Sequence, residues 1–147
     1  MTSAEATGVA RFTYDAARDH FDAAPLRFWD RYGERTVARL ALRPGDRVLD
    51  VCSGTGASAL PCARAVGSSG SVIGVDVSTE LLDIARHKAE REELHQLRFV
   101  AADMAELDFA DASFDVIVIV FGIFFAPDMG TQLRALTRLL RPGASWP

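Results

Sequence analysis

Cysteine is scarce in this chain, lysine nearly absent and asparagine missing altogether. The two cysteines, Cys52 and Cys62, allow one bridge at most, which excludes a disulfide framework. Lysine occurs once, as Lys88, against fifteen arginines; this reads as the codon usage of a GC-rich genome and carries no functional information. Long apolar runs are lacking too. The longest, residues 116–127, falls well short of the roughly 18 residues a membrane helix needs, and the N-terminus has no basic-then-apolar signal. The expectation is a soluble, cytoplasmic protein with no membrane span. Nor is there an excess of basic charge: the net charge is −4 and the isoelectric point near 5.3, which argues against a nucleic-acid partner. What is present is an ordinary globular balance, 49% hydrophobic and 24% charged, in 147 residues, enough for one domain and too few for two.

The first 36 residues read as a helical, aromatic-rich segment. Phe12, Ala16, Phe21, Phe28, Trp29 and Tyr32 follow helix-like spacing, with a break expected near Pro25. Such a segment can be plain packing or a lid over a ligand site. Val37, Leu40 and Leu42 extend a helix to the turn Arg43-Pro44-Gly45-Asp46. From there strands and helices alternate. A strand over residues 47–52 leads through Ser53-Gly54-Thr55-Gly56 into a helix over 57–66. A second strand, 71–77, is followed by Ser78 as N-cap and a helix over 79–94. A third strand covers 97–101. The fourth, 116–120, is apolar on both faces, the mark of a strand covered on both sides. A helix over 131–140 ends at Arg141-Pro142-Gly143. This alternation predicts an α/β fold, a Rossmann-like parallel sheet flanked by helices, with the N-terminal helical segment (1–36) preceding a core over 37–147.

In such sheets ligands bind at the carboxyl ends of the strands. That rule selects Cys52 to Gly56, Asp76-Val77, Asp103-Met104 and Val120-Phe121. Gly54-Thr55-Gly56-Ala57-Ser58-Ala59 fits the G-x-G-x-x-G/A form of a nucleotide loop, with Asp76 at the end of the next strand able to accept from both ribose hydroxyls. These features serve a nicotinamide dinucleotide and S-adenosylmethionine (SAM) alike. Two carboxylates separate them. Asp50, just before the glycine turn, would repel a pyrophosphate and welcome the sulfonium and ammonium of SAM. Asp103 is placed to accept from an adenine amino group, with the Met104 amide facing a ring nitrogen and Val77 against one adenine face.

The runs Val48-Leu49-Asp50-Val51-Cys52-Ser53-Gly54-Thr55-Gly56, Val72-Ile73-Gly74-Val75-Asp76-Val77-Ser78, Phe99-Val100-Ala101-Ala102-Asp103-Met104, Phe114-Asp115-Val116-Ile117-Val118 and Leu139-Leu140-Arg141-Pro142-Gly143 occur in one order. Together they resemble the motifs of class I SAM-dependent methyltransferases. Phe121-Gly122 and Pro127-Asp128 make the likeness nearest to small-molecule enzymes of the ubiquinone/menaquinone-biosynthesis type. The resemblance implies SAM as cofactor, held by Asp50, Cys52, Gly54, Gly56, Asp76, Val77, Asp103, Met104 and Val120, and methyl transfer to a small-molecule acceptor. Cys52 departs from the glycine common there, and its role reads as packing; Cys62 reads as core. No residue announces itself as a catalytic base, although Tyr14, His20 and Tyr32 are candidates for lid or acceptor-side groups. His20, His87 and His95 have no metal-ligand spacing, so no metal site is expected.

The resemblance implies a seven-stranded sheet in the order 3-2-1-4-5-7-6, whereas only four strands are legible here, which it would place in the order 3-2-1-4. Ala144-Ser145-Trp146-Pro147 cannot supply a fifth. The expectation is therefore a sheet that stops after its fourth strand, with strands 5–7 missing. Its bare edge would invite self-pairing or homo-oligomer formation. Two alternatives to an active methyltransferase stay open: a SAM-binding fragment without independent activity, and an NAD-binding oxidoreductase domain.

Overall fold

A computed structural model describes residues 2–21, 23 and 27–144; the break expected near Pro25 and the tail at 145–147 lie outside the described residues. The elements run α1 (Ser3–Ala16), α2 (Phe28–Val37), β1 (Arg47–Val51), α3 (Ala59–Val66), β2 (Ser71–Asp76), α4 (Thr79–Arg91), β3 (Leu97–Ala101), β4 (Val116–Ile119) and α5 (Met129–Thr137). All strand pairs are parallel, as the alternation predicts, and the order is β3-β2-β1-β4, as the family resemblance implies.

Side chains alternate across the sheet, so each apolar strand feeds two cores. Val48, Val72, Val118 and Phe99 point to one face, where Leu60, Ala63 and Val66 of α3, Leu82 and Ala85 of α4, and Val37 of α2 cover them. Leu49, Val51, Ile73, Val75 and Ile117 point to the other, under Leu136, Leu139 and Leu140. Asp50 shares its register row with Gly74 and Val118, and so belongs to the α3 face.

Several helices end where a local group intervenes. α2 stops at Val37, leaving Leu40 and Leu42 to pack on the core from a turn instead of extending the helix. α4 ends at Arg91, short of Leu94, because Glu93 turns left-handed (φ +54°). α3 begins at Ala59, later than expected, because the glycine loop continues in turns through Ser58. α5 starts early, at Met129, because the Asp128 carboxylate accepts from the Thr131 amide at 3.0 Å and caps it. It also ends early, at Thr137. Leu139 and Leu140 drop into the core, and the Arg141 amide donates to the Phe114 carbonyl (2.9 Å), forming a single parallel bridge beside β4. Beyond that bridge, among the described residues, β4 pairs only with β1. No helix among the described residues is long and apolar enough to cross a membrane.

Candidate functional site

The site forms where β1 and β2 end. After Val51 the chain turns sharply: Cys52 adopts φ +59°, the Ser53 amide donates to the Val75 carbonyl (2.9 Å), and Gly54 adopts φ +51°. The Gly54 amide then donates to Asp76 Oδ2 at 2.9 Å, and the Ser78 amide to Asp76 Oδ1 at 3.0 Å. One carboxylate thus ties the glycine loop to the start of α4. Burial raises the Asp76 carboxyl above its ordinary range, against these amide bonds, which lower it.

Gly56 has a different task. A side-chain carbon there would stand 2.2 Å from Leu60 Cδ1, so its glycine lets α3 close on the loop. It faces away from the cavity above the strand ends. That cavity, about 240 Å³, is lined by Cys52, Gly54, Asp76, Val77, Asp103, Met104 and Val120 among the residues expected from sequence. Asp50 lies one layer behind it. The side chain is wholly buried, and Oδ2 accepts from the Ser58 hydroxyl (2.7 Å), while Oδ1 has no hydrogen-bond partner among the described residues. Burial pushes the Asp50 carboxyl up to about 7, with nearby Asp76 adding to the rise and Ser58 opposing it.

Asp103 caps a short 3-10 turn over Met104–Glu106, accepting from the Ala105 amide at 2.9 Å. Its other oxygen accepts from the Thr7 hydroxyl of α1. Met104 is pinned twice: Gln132 Nε2 donates to its carbonyl (2.7 Å), and its sulfur lies 3.9 Å from Cys52 Sγ. Burial keeps the Cys52 thiol well above the usual thiol range, reinforced by Asp76, Asp50 and Asp103. Cys62 is fully buried in the core.

The roof and far wall come from the N-terminal segment and from the loop after β4. Ala6, Thr7, Ala10 and Tyr14 lie along one face of α1 and line the cavity. Phe21 and Trp29 stack in parallel at 5.7 Å, and Phe121 meets both Trp29 and Tyr32 edge-on at 5.4 Å. Phe121 holds φ +58°, a costly backbone for an aromatic residue, and Gly122 fits directly against Cys52, where a side-chain carbon would come within 2.5 Å. Of the candidate acceptor-side groups, Tyr14 lines the cavity, whereas His20 is exposed and Tyr32 only backs Phe121.

Asp128, quoted from sequence only for the family likeness, lines the cavity too, as do Thr7, Phe125, Thr131 and Gln132, which were not singled out from sequence. Nothing local marks them, because their place depends on how α1 and α5 pack against the strand ends. The described lining residues include three carboxylates (Asp76, Asp103 and Asp128) and no arginine, lysine or histidine, although Arg134 stands near Asp128 outside the lining.

A four-stranded parallel sheet in this order, with a glycine loop after β1 and carboxylates after β2 and β3, defines a Rossmann-like domain of the class I methyltransferase type. The fold of a SAM-dependent methyltransferase from Aquifex aeolicus agrees, with a TM-score of 0.74 at 23% identity, covering 87% of this chain and 68% of that one. The family is narrower: the ubiE/COQ5 methyltransferase family matches residues 9–146, and the chain belongs to it. It is 39% identical over 108 residues to the demethylmenaquinone methyltransferase of Oceanobacillus iheyensis, covering 74% of this chain and 45% of the relative. It is also 39% identical over 132 residues to the 2-phytyl-1,4-naphtoquinone methyltransferase of Synechococcus elongatus, covering 89% and 55%. The chain spans about half the length of the curated relatives it matches.

Proposed function

We propose that the cavity binds SAM and that the protein directs the cofactor's methyl group to a small, apolar acceptor. The observation that carries this reading is electrostatic. Asp76, Asp103 and Asp128 line the cavity with no cationic side chain among the described lining residues, and Asp50 stands behind them. A cation bearing a sulfonium and an ammonium is stabilised there, whereas a dinucleotide would bring its pyrophosphate among carboxylates.

The bound cofactor supplies an activated methyl group, so the work left to the chain is alignment and exclusion of water. Asp76 is suited to the ribose hydroxyls and Asp103 to the adenine amino group; the amide of Met104 and the side chain of Val77 complete that end. Cys52, Gly54 and Val120 flank the path toward the aromatic wall of Tyr14, Phe21, Trp29, Phe121 and Phe125. That wall suits a flat, apolar ring, in keeping with the quinone acceptors in the names of the relatives. The Tyr14 hydroxyl at the wall stays protonated and does not serve as a base, because burial and the neighbouring Asp76 and Cys52 raise its pKa.

A second reading, SAM binding without turnover by this chain alone, draws support from β4, whose outer side carries one bridge and no strand among the described residues. Calorimetric titration with SAM and with NAD tests the first part, and formation of S-adenosylhomocysteine in the presence of a naphthoquinol separates the two readings. Binding of NAD in preference to SAM would overturn both.

A further inference from the structure

One contact in the cavity belongs to neither the glycine loop nor the aromatic wall. The Thr7 hydroxyl donates to Asp103 Oδ2, while Oδ1 is engaged by the Ala105 amide of its own turn. Both residues line the cavity, so the hydroxyl reaches the carboxylate from the side on which a cavity ligand approaches. The helix that carries Thr7 is held down independently. Asp15 accepts from the Ser78 hydroxyl at the start of α4, and Arg18, just past α1, pairs with Glu80. Thr7 therefore stays over Asp103 whether or not its own hydrogen bond is made.

The hydroxyl also has a second acceptor within its own helix. In α1 a threonine can rotate about χ1 and donate to the carbonyl four residues back, and Thr13 does so, to Val9 at 2.8 Å. For Thr7 that carbonyl belongs to Ser3. Giving up Asp103 leaves the hydroxyl satisfied and requires no movement of α1.

We infer that Thr7 sets the cofactor affinity of this site: its hydroxyl and the exocyclic amino group of adenine compete for the Asp103 carboxylate, and binding turns Thr7 back onto its own helix. This rests on the reading of the cavity as a SAM site with Asp103 at the adenine end. The competition makes Thr7 a specificity residue, because with the Met104 amide donating to the adjacent ring nitrogen only a six-position that itself donates a hydrogen bond can replace the hydroxyl at the carboxylate. A ligand with a carbonyl at that position has its ring nitrogen protonated, meets the Met104 amide donor to donor, and leaves Thr7 where it is.

The test is titration of the chain and of its Thr7→Val, Thr7→Ala and Thr7→Ser variants with S-adenosylhomocysteine and S-inosylhomocysteine. Thr7→Val and Thr7→Ala should bind the adenosyl ligand more tightly than wild type, roughly three- to tenfold, since one hydrogen bond no longer has to be broken. They should show no gain for the inosyl ligand, and Thr7→Ser should behave as wild type. Alanine is the best helix former, which guards the comparison against a helix weakened by valine. Unchanged or weaker adenosyl binding in both Thr7→Val and Thr7→Ala, or an equal gain for both ligands, would overturn the role of Thr7. Failure of the wild-type chain to bind either ligand would instead overturn the reading of the cavity.

Discussion

Ser58 donates a 2.7 Å hydrogen bond to one oxygen of Asp50 and leaves the other buried without a hydrogen-bond partner among the described residues. A half-satisfied buried carboxyl is costly to ionise, and this one titrates near neutrality, at about 7 against an ordinary value of 3.8.

Folding therefore favours the protonated form of Asp50. The stability that this group contributes is fully present below about pH 4 and is lost as the pH rises to about 7. Asp50→Asn removes the titration. Its melting temperature should match that of wild type in acid and exceed it at pH 8, measured by thermal unfolding across that range. A wild-type stability that rises between pH 4 and 7 in parallel with the variant would contradict the assignment. The same carboxyl links to ligand charge: a cation favours its ionised form, so SAM should bind wild type better at pH 7.5 than at pH 6, and this gain should shrink in Asp50→Asn.

Gly33 lies in α2 against the glycine loop, and a side-chain carbon there would stand 2.2 Å from the Ala57 carbonyl oxygen. Backbone cannot yield as a side chain can. Gly33→Ala should lower stability by about 2 kcal/mol despite alanine's better helix propensity, read from the denaturant midpoint. An unchanged or higher midpoint would show that α2 is not seated on the loop.

Cys52 sits in the cavity wall where a reactive thiol would be tempting to read. Burial and three neighbouring aspartates hold it protonated. Alkylation by iodoacetamide at pH 8 should be much slower than that of a free thiol, and slower again when the cavity is filled. Rapid modification at this position would contradict the packing role that its contacts with Met104 and Gly122 define.

Much of this was legible in the residues. The strands announce themselves because a parallel sheet buried on both faces needs continuous apolar runs, and Val48-Leu49, Val72-Ile73 and Val116-Ile117-Val118 supply them. Their order follows from the family motifs. Asp76, Asp103 and Gly54 were readable because each stands at a strand end, where the topology fixes the direction of the side chain or amide. Position within a motif was a poorer guide to depth. Gly56 belongs to the same loop, yet the space left by its missing side chain is filled by Leu60, and Asp50 points to the α3 face behind the wall. Thr7 and Gln132 were silent, because their contacts with Asp103 and Met104 bridge helices remote in sequence. Helix ends were misread where a single residue decided them: the left-handed Glu93 shortens α4, and the Asp128 cap lengthens α5 at its start.

If carboxylates at the strand ends hold a cationic adenosyl cofactor, equilibrium binding of SAM must distinguish the wild-type chain from Asp76→Ala. Wild type should bind measurably and the variant should lose about tenfold or more, as expected when charged hydrogen bonds to a ligand are removed. Equal affinity in the two proteins would contradict it.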